Sequence, residues 1–351
     1  MPITSSSISS SEARDVAAAS WRRFVLAFAA GTVLVFLGLL GFVVAVDPYD
    51  TGRLALLKAP GLPAQIPRTA HASRGRDPAY DAAVFGNSHV QILAPEELTR
   101  ETGIPFLSLA VPGIGPREMF LLLDYFLRHR VRPARAIVLG IDPYWCRDDP
   151  GMPNWLPFPF WLYERSLWGY LVGIVRDQSL DDSFKRLFYA LHLSKRVRAR
   201  PDGLWDYDET FVWSPERHGP MFRAPAPSGI LNETGRFPAI EALGKTLDAL
   251  PKDLAVVLLM PPVHAVALPL PGTALARSEA ACRAALVGMA KGRPSVAIVD
   301  WRVDRPEIHV PENFIDPTHY RRPIAREIER DVAAAIGGIE ARLKAPSGGA
   351  R

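Results

Sequence analysis

Cysteine is scarce in this sequence: the 351-residue chain holds only Cys146 and Cys282. Neither has a second cysteine or a histidine at ligand spacing beside it, so the usual pattern of a metal site is missing. Isolated cysteines fit a structural role, and in an oxidising compartment the two could form a disulfide. The sequence therefore predicts no metal and no cofactor, and it leaves the pairing of the cysteines open.

Excess charge is also scarce. The chain carries 41 basic and 37 acidic residues, a formal net charge of +4, and the two signs are interspersed. A nucleic-acid-binding domain normally shows a concentrated basic stripe, so nucleic acid is not an expected partner. Apolar residues make up 48% of the chain, enough for one large domain or for a core with an insertion in the roughly 300 residues that follow residue 46.

Long apolar runs are absent except for one near the N-terminus. Phe24 to Val46 contains 23 residues without a charge, and a transmembrane helix needs about 20. A cleaved signal peptide is the alternative, but its apolar region normally runs about 7–15 residues, and Val43-Val44-Ala45 is a poor cleavage site. The run predicts a transmembrane helix over residues 24–46 that contacts the bilayer.

The charges that flank this run predict its orientation. Arg14, Arg22 and Arg23 precede it, whereas Asp47 and Asp50 follow it. By the positive-inside rule, residues 1–23 form a cytoplasmic tail, Ser-rich and disordered over its first 11 residues, and the rest lies outside. In a bacterium this is a single-pass protein of the inner (cytoplasmic) membrane with a periplasmic or extracytoplasmic domain. We expect a linker over 47–79, an α/β domain over 80–345 and a flexible tail over 346–351.

Short β-type runs alternate with helical periodicity through much of the chain, which predicts parallel strand pairing and a three-layer α/β/α sandwich. In such a fold ligands bind outside the carboxyl ends of the strands. The expected strands are Ala82–Phe85, Pro105–Leu109, Ala136–Ile141, Ala255–Met260 and Val296–Asp300, and the expected helices are Arg117–Arg130, Pro238–Ala249, Ala274–Lys291 and Ile324–Leu343.

The segment from about 146 to 235 interrupts this alternation. It includes a long helical stretch, Leu167–Leu193, and with its border it holds six of the eight tryptophans, Trp145, Trp155, Trp161, Trp168, Trp205 and Trp213. Aromatic side chains stack on sugars and also settle at membrane interfaces. We interpret the segment as an insertion that acts as a substrate lid, a membrane-facing patch or a satellite core.

Two short polar segments suggest chemistry. Gly86-Asn87-Ser88-His89 follows the first apolar run, and Asp316-Pro317-Thr318-His319 precedes the last helical stretch. Each alone is also typical of a turn or a helix cap. Together they have the layout of a serine acyl-group enzyme, with Ser88 as nucleophile, His319 as base and Asp316 as the carboxylate that orients it.

With these motifs the chain resembles the SGNH (GDSL-like) hydrolase superfamily over about residues 80–335. Phe85–His89 is similar to the first family block, Ala110–Gly115 to the second and Asp316–Tyr320 to the last. The resemblance implies an oxyanion hole formed by the backbone N–H groups of Ser88 and Gly113. In the third block the family usually has an asparagine donor, whereas this chain has Asp142, which when ionised can accept hydrogen bonds but cannot donate one.

The nearest resemblance is to membrane-anchored members that acylate cell-surface polysaccharides, as in alginate acetylation and teichoic-acid D-alanylation. It implies a polysaccharide or glycolipid substrate, an acyl group such as acetyl, and a multispanning membrane acyltransferase as partner. Whether water or a sugar hydroxyl accepts the acyl group separates hydrolase from transferase. An anchored esterase for small esters and a non-catalytic polysaccharide-binding or assembly component remain alternatives.

Five further residues are candidates for substrate binding. Asn87 and His89 flank the expected nucleophile, although His89 could equally point away from it. Asp142 follows the third strand, and His264 follows the fourth strand and two prolines, where a histidine can also simply be solvated. Arg236 lies in the turn sequence Asn232–Arg236 and could hold a carboxylate or a sugar.

Overall fold

The computed structural model describes residues 10–57, 62–63, 65–153, 156–194 and 200–345. The predicted tail over 346–351, residues 1–9 of the N-terminal tail, and Trp155 lie outside the described residues. The chain divides into two compact units, one of Met1–Pro60 with Leu171–Lys195 and one of Gly61–Tyr170 with Arg196–Arg351.

Helices and strands alternate as the sequence predicts. The helices are α1 Ser10–Val46, α2 Pro67–Arg74, α3 Pro95–Thr102, α4 Pro116–Arg128, α5 Phe160–Tyr163, α6 Leu167–Gly173, α7 Asp177–Ala190, α8 Pro215–His218, α9 Pro238–Ala249, α10 Ala274–Ala290 and α11 Arg322–Lys344. The strands are β1 Ala82–Phe85, β2 Phe106–Ser108, β3 Ala136–Gly140, β4 Ala255–Met260, β5 Val296–Asp300, β6 Phe314–Asp316 and β7 His319–Tyr320.

The larger unit is built on a five-stranded sheet in the order β2-β1-β3-β4-β5, with every neighbouring pair parallel. Strands β1, β3 and β4 are buried throughout, as expected for parallel strands, which read as continuous apolar runs. From β1 the chain moves to one side to form β2 and then returns to the other side to form β3. This reversal makes the edge beyond β1 and β3 a topological switch point, where open α/β sheets bind ligands.

Helices pack on the sheet through apolar stripes. Helix α11 contributes Ile328, Val332 and Ile336 to a buried cluster that includes Val84 of β1 and Val257 of β4. Since successive strand residues point to opposite faces, the neighbour of Val84 in the chain faces the other way. That neighbour, Phe85, makes an edge contact with Phe126 of α4 at 5.8 Å between ring centroids.

Part of the predicted linker over 47–79 belongs to the larger unit. Helix α2 begins at Pro67, where the missing N–H of proline is harmless, and His71 and Ala72 within it are fully buried. His71 Nε2 lies 2.9 Å from the carbonyl oxygen of Ala110, and Tyr125 donates to the carbonyl of Ala72 at 2.8 Å. Since the sequence of α2 has little apolar periodicity, these tertiary contacts are what stabilise the helix.

A disulfide joins Cys146 and Cys282, whose Cα atoms lie 5.5 Å apart. Cys146 ends a 3₁₀ turn, Pro143–Cys146, that follows β3, and Cys282 lies on the buried side of α10. The bond therefore ties the carboxyl end of a central strand to a helix 136 positions later in the chain. It answers the question of pairing that the sequence leaves open.

The smaller unit contains α1 and α7. Within α1, Ser20–Val46 has a mean hydropathy of 2.5 and is the one described helix long and apolar enough to cross a membrane. Phe42 near its end contacts Phe184 of α7 at 4.9 Å between ring centroids. The sequence predicts one helix over Leu167–Leu193, but the structure has two, α6 and α7. The backbone is extended at Arg176, and α7 begins at Asp177, an acidic residue suited to a helix N-terminus.

Candidate active site

The turn after β1 presents Ser88. The strand ends at Phe85, and Gly86 follows with φ +155°. A Cβ atom at Gly86 would overlap the side chain of Val90, so this position needs glycine both for its backbone angle and for its space. The side-chain oxygen of Asn87 then accepts from the backbone N–H of His89 at 3.0 Å, which closes the turn around Ser88.

The structure brings Ser88, His319 and Asp316 together. Ser88 Oγ lies 2.9 Å from His319 Nε2, and His319 Nδ1 lies 2.8 Å from Asp316 Oδ2. These are hydrogen-bonding distances at both ring nitrogens. Because the carboxylate accepts from Nδ1–H, Nε2 is left as the acceptor for the serine proton, the arrangement that a nucleophilic serine needs.

Asp316 is itself fixed by its own loop. Its Oδ1 accepts from the backbone N–H of Thr318 at 2.8 Å, from the Thr318 hydroxyl at 2.8 Å and from the backbone N–H of His319 at 3.0 Å. Burial raises the pKa of Asp316, but the hydrogen bonds from His319 and Thr318 outweigh it and hold the pKa below its usual range. The carboxylate is therefore ionised and cannot rotate without losing several hydrogen bonds.

The loop after β2 lies beside the turn Gly86–His89. Val111 donates its backbone N–H to the carbonyl of Gly86 at 2.9 Å, and the Arg68 guanidinium donates to the carbonyl of Pro112 at 2.6 Å. Gly113 follows with φ +70°. The backbone N–H groups of Ser88 and Gly113 donate to no partner within the part of the chain that the structure describes, so both are free to bind an oxyanion.

Asp142 follows β3 and supports the turn that presents Ser88. It is buried, one oxygen accepts from the Asn87 side-chain amide, and the other accepts from the backbone N–H of Tyr144 at 2.8 Å. Burial raises the pKa of Asp142 to about 7, against the opposing effects of the Tyr144 hydrogen bond and of the charge on Arg302. Both oxygens act as acceptors, so the side chain holds Asn87 rather than offering a donor to an oxyanion.

Two aromatic rings flank His319. The His89 ring lies 5.1 Å and the Tyr207 ring 6.0 Å from it, measured between centroids. His89 is half-buried, and this burial, together with the neighbouring His319, lowers its pKa to about 3. It is therefore neutral at physiological pH.

Tyr207 and Asp208 come from the insertion, and no motif in the sequence indicates their role. Tyr207 donates its hydroxyl to the carbonyl of Tyr320 at 2.8 Å. Asp208 accepts from the Arg321 side chain at 2.6 Å and from the backbone N–H of Arg322 at 2.9 Å. The insertion is thus hydrogen-bonded to the residues directly after His319. A cluster of aromatic and acidic residues at 205–208 is the only sequence signal that could have indicated this contact.

His264 and Arg236 have other surroundings. The His264 ring is buried between Phe222 and Phe314, at 4.5 and 5.3 Å between centroids, and its backbone N–H donates to the carbonyl of Pro317 at 2.8 Å. The backbone of His264 therefore supports the Asp316–His319 loop through Pro317. Arg236 is exposed, and its side chain makes no hydrogen bond or ion pair with a described residue.

Metal-binding side chains do not cluster here. Among the described residues, no three of the types His, Cys, Asp and Glu lie close enough together to hold an ion. The arrangement that the structure does contain is a serine, a base, a carboxylate and two free N–H groups at one edge of the sheet.

No protein-family model matches this chain, and no curated protein matches it. Any function inferred for it rests on its own residues.

Proposed function

We propose that this protein is a membrane-anchored serine acyltransferase or esterase of SGNH type. It acts on O-acyl groups, chiefly acetyl, of a cell-envelope or exported polysaccharide or glycolipid. The observation that carries the proposal is the chain of hydrogen-bonding distances from Ser88 Oγ through His319 to Asp316, at 2.9 and 2.8 Å. The parallel sheet, with helices packed on strand residues of both orientations, is consistent with the three-layer α/β/α sandwich of that superfamily.

The proposed reaction has two halves. In the first, Ser88 Oγ attacks the ester carbonyl carbon while His319 Nε2 takes its proton, and the oxyanion is bound by the N–H groups of Ser88 and Gly113. The tetrahedral intermediate collapses, the alcohol leaves with the proton from His319, and the acyl group stays on Ser88. In the second half, His319 deprotonates an acceptor hydroxyl that attacks the acyl-serine and restores the free enzyme.

The acceptor decides between the two activities. Water as acceptor makes the protein an esterase, and a sugar hydroxyl makes it a transferase. We favour transfer, with a multispanning membrane acyltransferase as the partner that supplies acyl groups, by analogy with anchored members of the superfamily. Purified protein should then transfer acetyl from an activated ester to an oligosaccharide faster than to water, and exclusive hydrolysis across several acceptors would leave only the esterase.

The proposed location is the cytoplasmic membrane, with the N-terminus inside and the α/β unit on the periplasmic side. Arg22 and Arg23 lie just before the apolar helix and Asp47 just after it, as the positive-inside rule requires. The disulfide between Cys146 and Cys282 supports the same orientation, because disulfides persist in oxidising compartments and are rare in the cytosol.

Asp142 favours a second candidate, a non-catalytic component that binds polysaccharide in an envelope complex. A carboxylate occupies the place of an oxyanion donor, and its two oxygens are engaged with Asn87 and Tyr144. In this case Ser88→Ala would leave the cellular phenotype intact, whereas replacement of aromatic residues in the insertion would abolish it.

The experiment that tests catalysis uses the full-length chain in detergent. Cleavage of p-nitrophenyl acetate and labelling by a fluorophosphonate probe are compared for the wild type, Ser88→Ala and His319→Ala. His309→Ala is the matched control, since His309 also pairs with an aspartate, Asp304, but at the exposed surface. The proposal requires that activity and labelling vanish in the two site variants and persist in the control. Folded wild-type protein with neither would support the binding component instead.

A further inference from the structure

Helix α7 in the smaller unit buries polar residues and, in its second half, exposes apolar ones. Its buried positions are Ser179, Asp182, Ser183 and Arg186. The exposed positions in its second half and just beyond it are Phe184, Phe188, Leu191 and Leu193, whose exposed fractions are 44, 47, 55 and 71%. A helix that faces water has the opposite arrangement, so the outer surface of α7 is suited to an apolar surrounding.

Two of the buried polar residues of α7, Ser179 and Arg186, are paired with the segment that follows the apolar helix. The Ser179 hydroxyl lies 3.2 Å from that of Tyr49. The Arg186 guanidinium donates to Asp50 at 3.1 Å and lies 3.9 Å from Asp47. Because a charge removed from water must be paired, this cluster accounts for an arginine only 1% exposed.

The two helices run in opposite directions. Ser179 near the start of α7 contacts Tyr49 beyond the end of α1, and Phe184 contacts Phe42 inside it. As α7 advances by five residues, its contact on α1 therefore retreats by seven. At 1.5 Å per residue, Leu191 lies about 10 Å further than Phe184 along the apolar helix, towards its middle.

The exposed surface of α1 is apolar, like that of the second half of α7. Leu39 and Phe36, about one and two turns before the Phe42 contact, are about half exposed. The side chain of Arg186 reaches back from its apolar neighbours towards the aspartates at the end of the span. Long basic side chains behave in this way near the membrane surface, with the stem in the apolar layer and the charge at its edge.

We propose that α7 is a second membrane element, inserted beside α1 into the bilayer leaflet next to residue 47. Phe184, Phe188, Leu191 and Leu193 contact lipid tails, and the Arg186 cluster with Asp47 and Asp50 lies at the polar boundary. This inference rests on the proposed membrane anchorage and is independent of the proposed catalysis. The exposed apolar surface of α7 is assigned to the lipid bilayer, because it adjoins the apolar surface of the spanning helix.

The test places nitroxide labels on the full-length protein in phospholipid vesicles. Both native cysteines are in the disulfide, so one introduced cysteine is the only free thiol. The positions are Phe188→Cys and Leu191→Cys, with Asp181→Cys as the matched control on the exposed side of the same helix. The relaxation of each label by oxygen and by a nickel chelate reports its surroundings.

Labels at 188 and 191 should show an oxygen-to-nickel accessibility ratio at least about tenfold above that at 181, because a polar chelate is excluded from hydrocarbon. The ratio should be larger at 191 than at 188. Equal ratios at all three positions would overturn the proposal in favour of a water-exposed helix. Labels at 188 and 191 shielded from both reagents, even at high dilution in lipid, would overturn it in favour of a protein-covered surface.

Flotation of the vesicles tests membrane anchorage separately from the insertion of α7. Protein that floats with the vesicles but has water-exposed labels keeps the anchor and refutes the insertion of α7. Protein that does not float refutes both. Esterase activity is measured on the same samples, so a failure of the catalytic proposal is seen independently of the label positions.

Discussion

Replacing Asp316 by asparagine should abolish catalysis through the tautomer of His319. The backbone N–H groups of Thr318 and His319 both donate to Oδ1, at 2.8 and 3.0 Å, so the carbonyl oxygen of an asparagine must take that place. Its NH₂ group then takes the place of Oδ2, 2.8 Å from His319 Nδ1. An amide donor there forces Nδ1 to accept, so the proton moves to Nε2 and faces Ser88. A protonated Nε2 cannot take the serine proton.

The expected loss in kcat is about 10⁴-fold, the size seen when a triad carboxylate is replaced by its amide, or about 5.4 kcal/mol of transition-state stabilisation at 1.36 kcal/mol per tenfold. KM should change little, because the replaced atoms contact His319 and not the ester. The assay is p-nitrophenyl acetate cleavage by the full-length protein, followed over pH.

The matched control is Asp304→Asn. Asp304 lies 2.5 Å from His309, also an Asp–His pair, but both side chains are more than half exposed. This variant should keep full activity. If Asp316→Asn retains activity within tenfold of the wild type while folding normally, the carboxylate does not orient the base and the argument from fixed hydrogen bonds is refuted.

Three further predictions concern the disulfide, the buried His71 and the glycine before Ser88. Replacing Cys146 and Cys282 by serine should lower the free energy of unfolding by roughly 4–5 kcal/mol, the loop-entropy value for a closed loop of this length, and denaturant titration would refute this with a loss below 1 kcal/mol. His71 is fully buried, and burial lowers its pKa to about 3. The unfolded chain therefore binds more protons between about pH 6.5 and 3, stability falls as pH drops through that range, and His71→Gln should flatten the fall in thermal scans at pH 7.5 and 5. Gly86→Ala should displace the turn Gly86–His89, because the added Cβ overlaps Val90. Replacing Val90 by alanine as well should restore activity only in part, since the backbone angle at residue 86 stays unfavourable. Full rescue would show that only space mattered.

Local pattern is enough to predict much of this structure. Strands β1, β4 and β5 have the predicted bounds because each is an apolar run of β-type residues between turn or loop signals. Ser88 could be placed at the carboxyl edge of the sheet because it follows β1, and the Asp316–His319 loop could be matched to it from its residue types and its place before the last helix. These features depend on residues that are close in sequence or on a rule of topology.

The remaining features depend on contacts between distant residues. Helix α2 has little apolar periodicity and is defined by where His71 and Ala72 are buried. Tyr207 reaches the carbonyl of Tyr320 from 113 positions away, and no spacing marks such a pair. The pairing of Cys146 with Cys282 likewise requires the fold before it can be assigned. Physical proximity of this kind is not encoded in any short window of the sequence.

The distance in sequence between Ser88 and His319 has a consequence for synthesis of the chain. His319 follows Ser88 by 231 positions, and a chain made at roughly 5–20 residues per second reaches His319 on the order of 10 to 50 seconds after Ser88. Contacts of such long range also form slowly, because a large loop must close first. Throughout that interval the nascent chain holds a serine hydroxyl with no base beside it. On the proposed mechanism, the growing polypeptide gains activity towards esters only after His319 has been made and α11, which follows it, has packed against β4 and β5.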